Sequence, residues 1–186
     1  AERPGHGQAG TMSDDRIYPD EPAGDFPEPP LSFEDREGRS ISIEPYEPGD
    51  EEALVEMYTE FDPADRAQGI PPSTEERVRD WLELIVDEGH NVVAWHGDAI
   101  AGHATLVPDG GEAYELAIFV TQEYQRAGIG GRLIRGLLGY GASQDVDRVW
   151  LTVERWNRAA VALYEDVGFE RSGTESFELE MSLQLH

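Results

Sequence analysis

From residue 40 onward, apolar and polar residues are ordered along the chain, and the period of that order changes from one stretch to the next. In SISIEPY (40–46) the apolar residues fall at every second position, the period of a strand with one buried face. GDEEALVEMYTEF (49–61) carries them at helical spacing. STEERVRDWLELIVDEG (73–89) does the same behind Ser73 and Glu76, a pair placed to cap a helix reciprocally. Three strand-like runs follow, NVVAW (91–95), AIAGHATLV (99–107) and EAYELAIFV (112–120), parted by HGD and PDGG turns. Ile129, Leu133, Ile134, Leu137 and Leu138 then share one helix face, with Arg132 and Arg135 off it. RVWLTV (148–153) reads as a strand, NRAAVALYEDVG (157–168) as a helix closed by Gly168, and FELEMSLQL (177–185) as a last alternating strand. This order predicts an α/β chain: a mixed sheet with helices on its faces.

Residues 1–38 do not follow the pattern. They are rich in Pro, Gly, Asp and Glu (DEPAGDFPEPP, 20–30), hold few apolar residues, and are expected to be a disordered acidic tail ahead of one domain spanning 39–186. The first eleven residues precede Met12 and are set apart from fold reasoning.

Charge changes the picture in one respect. There are 39 Asp and Glu against 14 basic residues, every one of them arginine, for a net charge of -25. Such a surface repels a nucleic-acid backbone, so nucleic acid is excluded as the expected partner. A large acid excess over ordinary apolar runs suits a folded, halophilic protein of a saline cytoplasm. With no cysteine there is no disulfide framework, thiolate metal site or cysteine nucleophile, and no run is apolar enough to span a membrane. The histidines at 90, 96 and 103 lack the spacing of a metal site and read as sheet residues.

QRAGIGG (125–131) stands between a strand and a helix, and three glycines there ask what the backbone must approach. Glycine costs about 0.5–1 kcal/mol relative to alanine inside an element, so a cluster at such a junction has a geometric reason. A P-loop requires a lysine before Ser or Thr, and the chain has no lysine. A dinucleotide fingerprint requires G-x-G-x-x-G early in a βαβ unit, and G-x-G-G here follows several strands. What remains is a turn of backbone N–H groups feeding a helix N-terminus, able to hold a pyrophosphate, or a turn that binds nothing.

QRAGIGG resembles the Q/R-x-x-G-x-G/A signature of the GNAT superfamily of acyl-CoA-dependent N-acyltransferases. LTVERWNRAAVALYEDVGFE (151–170) resembles the superfamily's strand, Asn, A-x-x-L-Y and G-F segment, in the same order and at the same separation, so the resemblance covers about residues 40–185. It implies a mostly antiparallel sheet of six or seven strands with a splay, flanked by about four helices. It further implies that Arg126, Ala127, Gly128, Ile129, Gly130 and Gly131 wrap the pyrophosphate of acetyl-CoA. The strand edge at Ile118, Phe119 and Val120 would bond the pantetheine arm, Asn157 would contact the cofactor, and Tyr164 would lie near its sulfur. Read from the residues alone, Asn157 is equally a helix N-cap and Tyr164 a core residue.

The chemistry gives these types a reason. A lysine-like amine, with a pKa of about 10.4, must shed a proton before it attacks a thioester, and a carboxylate can take it. The departing thiolate can be protonated by a tyrosine, and no metal is needed. Glu115 sits inside the apolar AYELAIFV and is expected to be that base, because the segment resembles protein lysine acetyltransferases of the Pat type; a wet strand face is the other reading, and Glu154 the second candidate. Thr152 stands where ribosomal-protein N-terminal acetyltransferases carry a glutamate, which points away from that subclass. FDPADRAQGIPPSTEERVRDWLELI (61–85) resembles the acceptor side of Pat-like domains. The expected partners are acetyl-CoA and an amine acceptor, a protein lysine or a small molecule, in a cytoplasmic enzyme for which the resemblance also allows a homodimer; a non-catalytic acyl-CoA sensor on the same fold is the rival reading.

Overall fold

The computed structural model describes residues 16–61, 71–174 and 178–186. Its strands are β1 (Leu31–Glu34), β2 (Ser40–Pro45), β3 (His90–His96), β4 (Ala99–Pro108), β5 (Ala113–Val120), β6 (Arg148–Glu154), β7 (Glu170–Thr174) and β8 (Glu178–Gln184). Helices α1 (Glu51–Thr59), α2 (Glu75–Glu88), α3 (Ile129–Ser143) and α4 (Arg158–Val167) connect them. All eight strands form one sheet in the order β1-β2-β3-β4-β5-β6-β8-β7. Every described pairing is antiparallel except β5 with β6.

Alternation along the strands divides the interior into two clusters. Ile41, Ile43, Val92, Leu106 and Leu116 pack with Leu133, Ile134, Leu137 and Leu138 of α3, and Val149, Leu151, Val153 and Met181 extend that layer toward α4. Each such side chain contributes roughly 1.5–3 kcal/mol on leaving water. On the opposite face, Val93, Ile100 and Phe119 meet Leu54, Val55 and Tyr58 of α1 and Val78, Leu82 and Ile85 of α2. Four rings interlock there: Tyr58 lies edge-on to Trp81 and Phe119 at 5.2 and 5.6 Å, and tilted against Phe61 at 6.0 Å.

A polar chain crosses the base of this aromatic cluster. Asn91 Nδ2 donates to Ile85 O (3.0 Å), so Oδ1 must accept from His103 Nε2–H (2.7 Å), and His103 Nδ1 accepts the Tyr58 hydroxyl proton (2.5 Å). Burial holds the His103 pKa down at about 3, and the ring stays neutral. His90 and His96 begin and end β3, and no cluster of metal-ligating side chains occurs among the described residues.

The structure departs from the sequence reading in three places. The tail expected to be disordered through residue 38 is built into the fold from residue 16: Leu31–Glu34 pairs with Ile43–Ser40 as β1, and the sheet has eight strands where six or seven were expected. Upstream, Ala23 N donates to Gln184 O, and Pro27 crosses α3 at Gly139, where a Cβ would run into the Pro27 carbonyl. Residues 1–15 lie outside the described residues. The second departure is β7, which follows α4 and pairs with β8 through a bulge between Arg171 and Gly173. The third is the cap of α2, where the Thr74 side chain, not Ser73, accepts from Arg77 N at 3.3 Å.

Candidate active site

The glycine turn is shaped as a cradle. Arg126 (φ 61°) and Gly128 (φ 85°) both take left-handed backbone, and Gly128 serves as the N-cap of α3. That conformation disfavours any residue with a Cβ. The turn therefore delivers the first N–H groups of a fifteen-residue helix toward one spot, where a negative group is favoured. Leu163 of α4 packs against Gly131, leaving 3.2 Å to the place a Cβ would occupy.

A cavity of about 410 Å³ opens beside the turn, lined in part by Gly128, Gly131, Arg36, Arg132 and Arg135. Glu34, Asp35 and Asp166 line the same cavity; Asp166 pairs with Arg135 and Asp35 with Arg39, so Arg36 and Arg132 are the cations it offers an anion. Arg132 lies over the Phe33 ring at 4.7 Å, while Arg135 bonds Asp166 at 3.0 Å and Gly131 O at 3.3 Å. Arg36 arrives from the β1–β2 connection. Its N–H donates to Ala127 O (3.0 Å), and its Nε lies 3.6 Å from where a Gly128 Cβ would be. The connection itself is fixed by Asp35, whose Oδ1 accepts from Glu37 N and Arg39 N (both 2.9 Å) and whose Oδ2 accepts from Arg39 Nε (2.7 Å). Burial would raise the Asp35 pKa, but these bonds from Arg39 and Glu37 outweigh it and lower it. A pyrophosphate-bearing cofactor fits this donor set. A larger groove of about 490 Å³ lies outside the turn, along Ser42 and Trp95, and carries no comparable donors.

The splay lies between β5 and β6. Their parallel ladder runs Ala113↔Arg148, Tyr114↔Val149 and Glu115↔Trp150, and stops there, while β5 continues to Val120 against β4 and β6 continues to Glu154 against β8. Ile118, Phe119 and Val120 thus border the opening. Ile118 turns toward α3, its Cδ1 4.0 Å from the Cβ place of Gly130, whereas Phe119 turns the other way into the aromatic cluster.

Glu115 stands at the apex of this opening, half-buried on the face opposite α3 and α4. Burial raises its pKa, and Asp109, Glu178 and Glu180 add to the rise against the lowering charge of Arg16. Tyr164 approaches from the other face. It packs edge-on to Phe169 at 5.9 Å and against the α3 cluster, and burial pushes its pKa up to about 12. The two expected catalytic residues therefore lie on opposite faces of the sheet, Glu115 at the end of the β5–β6 ladder and Tyr164 in the cluster on the α3 side. Asn157 is the N-cap of α4, its Oδ1 accepting from Ala160 N at 3.2 Å, which leaves only Nδ2 to meet a cofactor. Glu154 closes β6 opposite Glu178, beyond Trp150, the β6 partner of Glu115.

Sequence reading missed Arg36 and a second group around Trp150, a neighbour of Glu115. The Trp150 indole Nε1 donates to Asp109 Oδ2 at 2.9 Å, and the Arg16 guanidinium lies over its ring at 3.4 Å. Neither association carries a local signal, because the partners come from distant segments. Of the expected acceptor side, residues 62–70 lie outside the described residues.

Comparison with known proteins agrees with this fold. The Acetyltransferase (GNAT) family matches residues 52–169. The N-alpha-acetyltransferase RimI of Mycobacterium tuberculosis is 39% identical over 95 residues, covering 49% of this chain and 58% of that protein. Mycothiol acetyltransferase of Amycolatopsis mediterranei is 29% identical over 171 residues, covering 86% of this chain and 54% of that one. The chain thus spans a little over half the length of these relatives. Among solved structures, the GNAT domain of S. lividans PAT superposes with a TM-score of 0.69 at 15% identity, over 83% of this chain and 96% of that one. With more than half of its length matched by the family and the family's fold in full, the chain belongs to the GNAT family of acetyltransferases.

Proposed function

We propose that the protein moves the acetyl group of acetyl-CoA to the side-chain amine of a protein lysine, by direct attack in a ternary complex. The observation that carries this reading is the ladder between β5 and β6, which ends at a half-buried carboxylate. The turn Arg126–Gly131 with Arg36 and Arg132 holds the pyrophosphate, and Ile118–Val120 offers backbone groups to the pantetheine arm. Asn157 contributes Nδ2. Glu115 takes the proton of the attacking ammonium, and its raised pKa brings its basicity nearer that of the amine. The nitrogen adds to the thioester carbonyl, the C–S bond breaks, and the Tyr164 hydroxyl, neutral below about pH 12, gives its proton to the leaving thiolate.

Thr152 in place of a glutamate supports a side-chain amine over a ribosomal-protein N-terminus. Free-thiol release from acetyl-CoA in molar KCl, with lysine peptides, N-terminal peptides, polyamines and aminoglycosides as acceptors, tests the reading. Release with lysine peptides supports it; release with another class alone, or with none, overturns it.

A further inference from the structure

Glu115, Trp150 and Ser182 lie side by side across β5, β6 and β8. Over this row the chain lays its own residues 16–18. Arg16 rests on the Trp150 ring at 3.4 Å and forms an ion pair with Glu180, and its charge also acts on Glu115. Ser182 Oγ donates to Ile17 O at 2.7 Å, and the Tyr18 ring lies 5.0 Å from the Arg148 guanidinium. Between those two anchored residues, Ile17 is 71% exposed.

Three properties define this seat. It takes a cation, because an indole face is ringed by Glu180, Asp109 and Glu115. It takes a peptide, because its occupant is held through a main-chain carbonyl as well as a side chain. It adjoins Glu115, one strand spacing away, so the occupant lies where an acceptor must pass.

We propose that Arg16–Tyr18 is a built-in competitor for the acceptor site, and that the acceptor is a peptide whose arginine or lysine replaces Arg16 on Trp150 while a neighbouring lysine amine reaches Glu115. This rests on the reading of Glu115 as the base. Trp150 and Glu180 then set acceptor specificity, and Arg16 sets the threshold for acceptor binding without touching the cofactor turn.

The test titrates the full chain, labelled at its tryptophan indoles, with a blocked peptide carrying one arginine and one lysine. It is run in molar KCl, which screens diffuse attraction to the acidic surface. The Trp150 indole resonance, assigned with Trp150→Phe, should move on peptide addition. Arg16→Ala should tighten peptide binding about two- to thirtyfold, the range from an exposed to a desolvated cation–π contact. It should leave acetyl-CoA affinity unchanged. A counterpart peptide with its arginine replaced by alanine should gain nothing from Arg16→Ala. Unchanged or weaker binding to Arg16→Ala overturns the proposal, and so does a Trp150 resonance moved by spermidine and not by the peptide, which assigns the seat to small polycations. Thiol release is read separately. A moved Trp150 resonance with no thiol released upholds the seat and sinks the base, and thiol released with an unmoved resonance does the reverse.

Discussion

Glu115 and Trp150 form the last aligned pair between β5 and β6, and beyond them the two strands part. A carboxylate at that position is removed from water by its neighbours yet lies beside an opening, which is the combination that raises a pKa without isolating the group. Had the ladder run two residues further, the sheet would be closed where it now opens beside Glu115.

Tyr164 packs on the α3 side of the sheet, the face opposite Glu115, and its hydroxyl stays protonated across any working pH. Tyr164→Phe should lower kcat about tenfold to a hundredfold, toward the lower end of what a positioned acid contributes. Affinity for CoA, measured by calorimetry, should change less than about twofold. A loss confined to affinity would make Tyr164 a binding residue.

At the glycine turn, Gly128→Arg forces a side chain onto left-handed backbone at a cost of about 1–2 kcal/mol and fills the space beside Arg36. CoA binding should be abolished while the folded far-UV spectrum is kept. Arg36→Ala should weaken CoA about tenfold, the scale of one hydrogen bond to a charged group. Dephospho-CoA and CoA titrated in parallel locate which phosphate is lost; unaltered affinity in both variants would remove the cavity from the cofactor site.

The Tyr58–His103–Asn91 chain makes a prediction about stability and pH. His103 has a folded pKa of about 3 against an unfolded value near 6.5, so the folded state binds fewer protons between those values. Its contribution is complete above about pH 6.5 and falls as the pH drops toward about 3, by up to roughly 1.4 kcal/mol per unit. Urea midpoints should therefore fall more steeply from pH 7 to 5 in the wild type than in His103→Gln. Parallel slopes would show that His103 titrates alike in both states. Tyr58→Phe, which leaves His103 Nδ1 without its donor, should cost about 1–3 kcal/mol at neutral pH.

Arg16 supplies a further handle. Its charge lowers the Glu115 pKa, so Arg16→Ala should raise that pKa and move the acid limb of kcat/KM, which reports the free enzyme, to higher pH. A limb that does not move would separate Arg16 electrostatically from the group that limb reports.

Much of this was legible in the sequence wherever structure is set locally. The strands from β3 to β6 and the apolar stripe of α3 follow from periodicity, and the turn at Gly128 from the glycines a left-handed N-cap requires. Strand β1 was not legible, since four residues after PEPP become a strand only by pairing with Ser40–Ile43. Gly139 looks like a helix weakness until Pro27 is seen lying across it. Ser73 and Thr74 are both hydroxyl residues ahead of glutamates, and backbone geometry alone decides which one caps α2. Arg16 and Arg36 reach their sites across more than ninety residues of sequence, from a segment whose composition suggests disorder.

The role of Glu115 is tested most directly by the pH profile of kcat/KM for Glu115→Gln beside the wild type, from about pH 6 to about pH 10, with saturating acetyl-CoA and a lysine peptide. With Glu115 as base, the variant loses about 100- to 10,000-fold near neutrality, and the gap narrows toward high pH as free amine accumulates. The acid limb of the wild type disappears with the carboxylate. A loss of equal size at every pH, or a variant that keeps the wild type's acid limb at the same pH in addition to the rise from free amine, would contradict the account and transfer the proton to another group, with Glu154 the next to be tested.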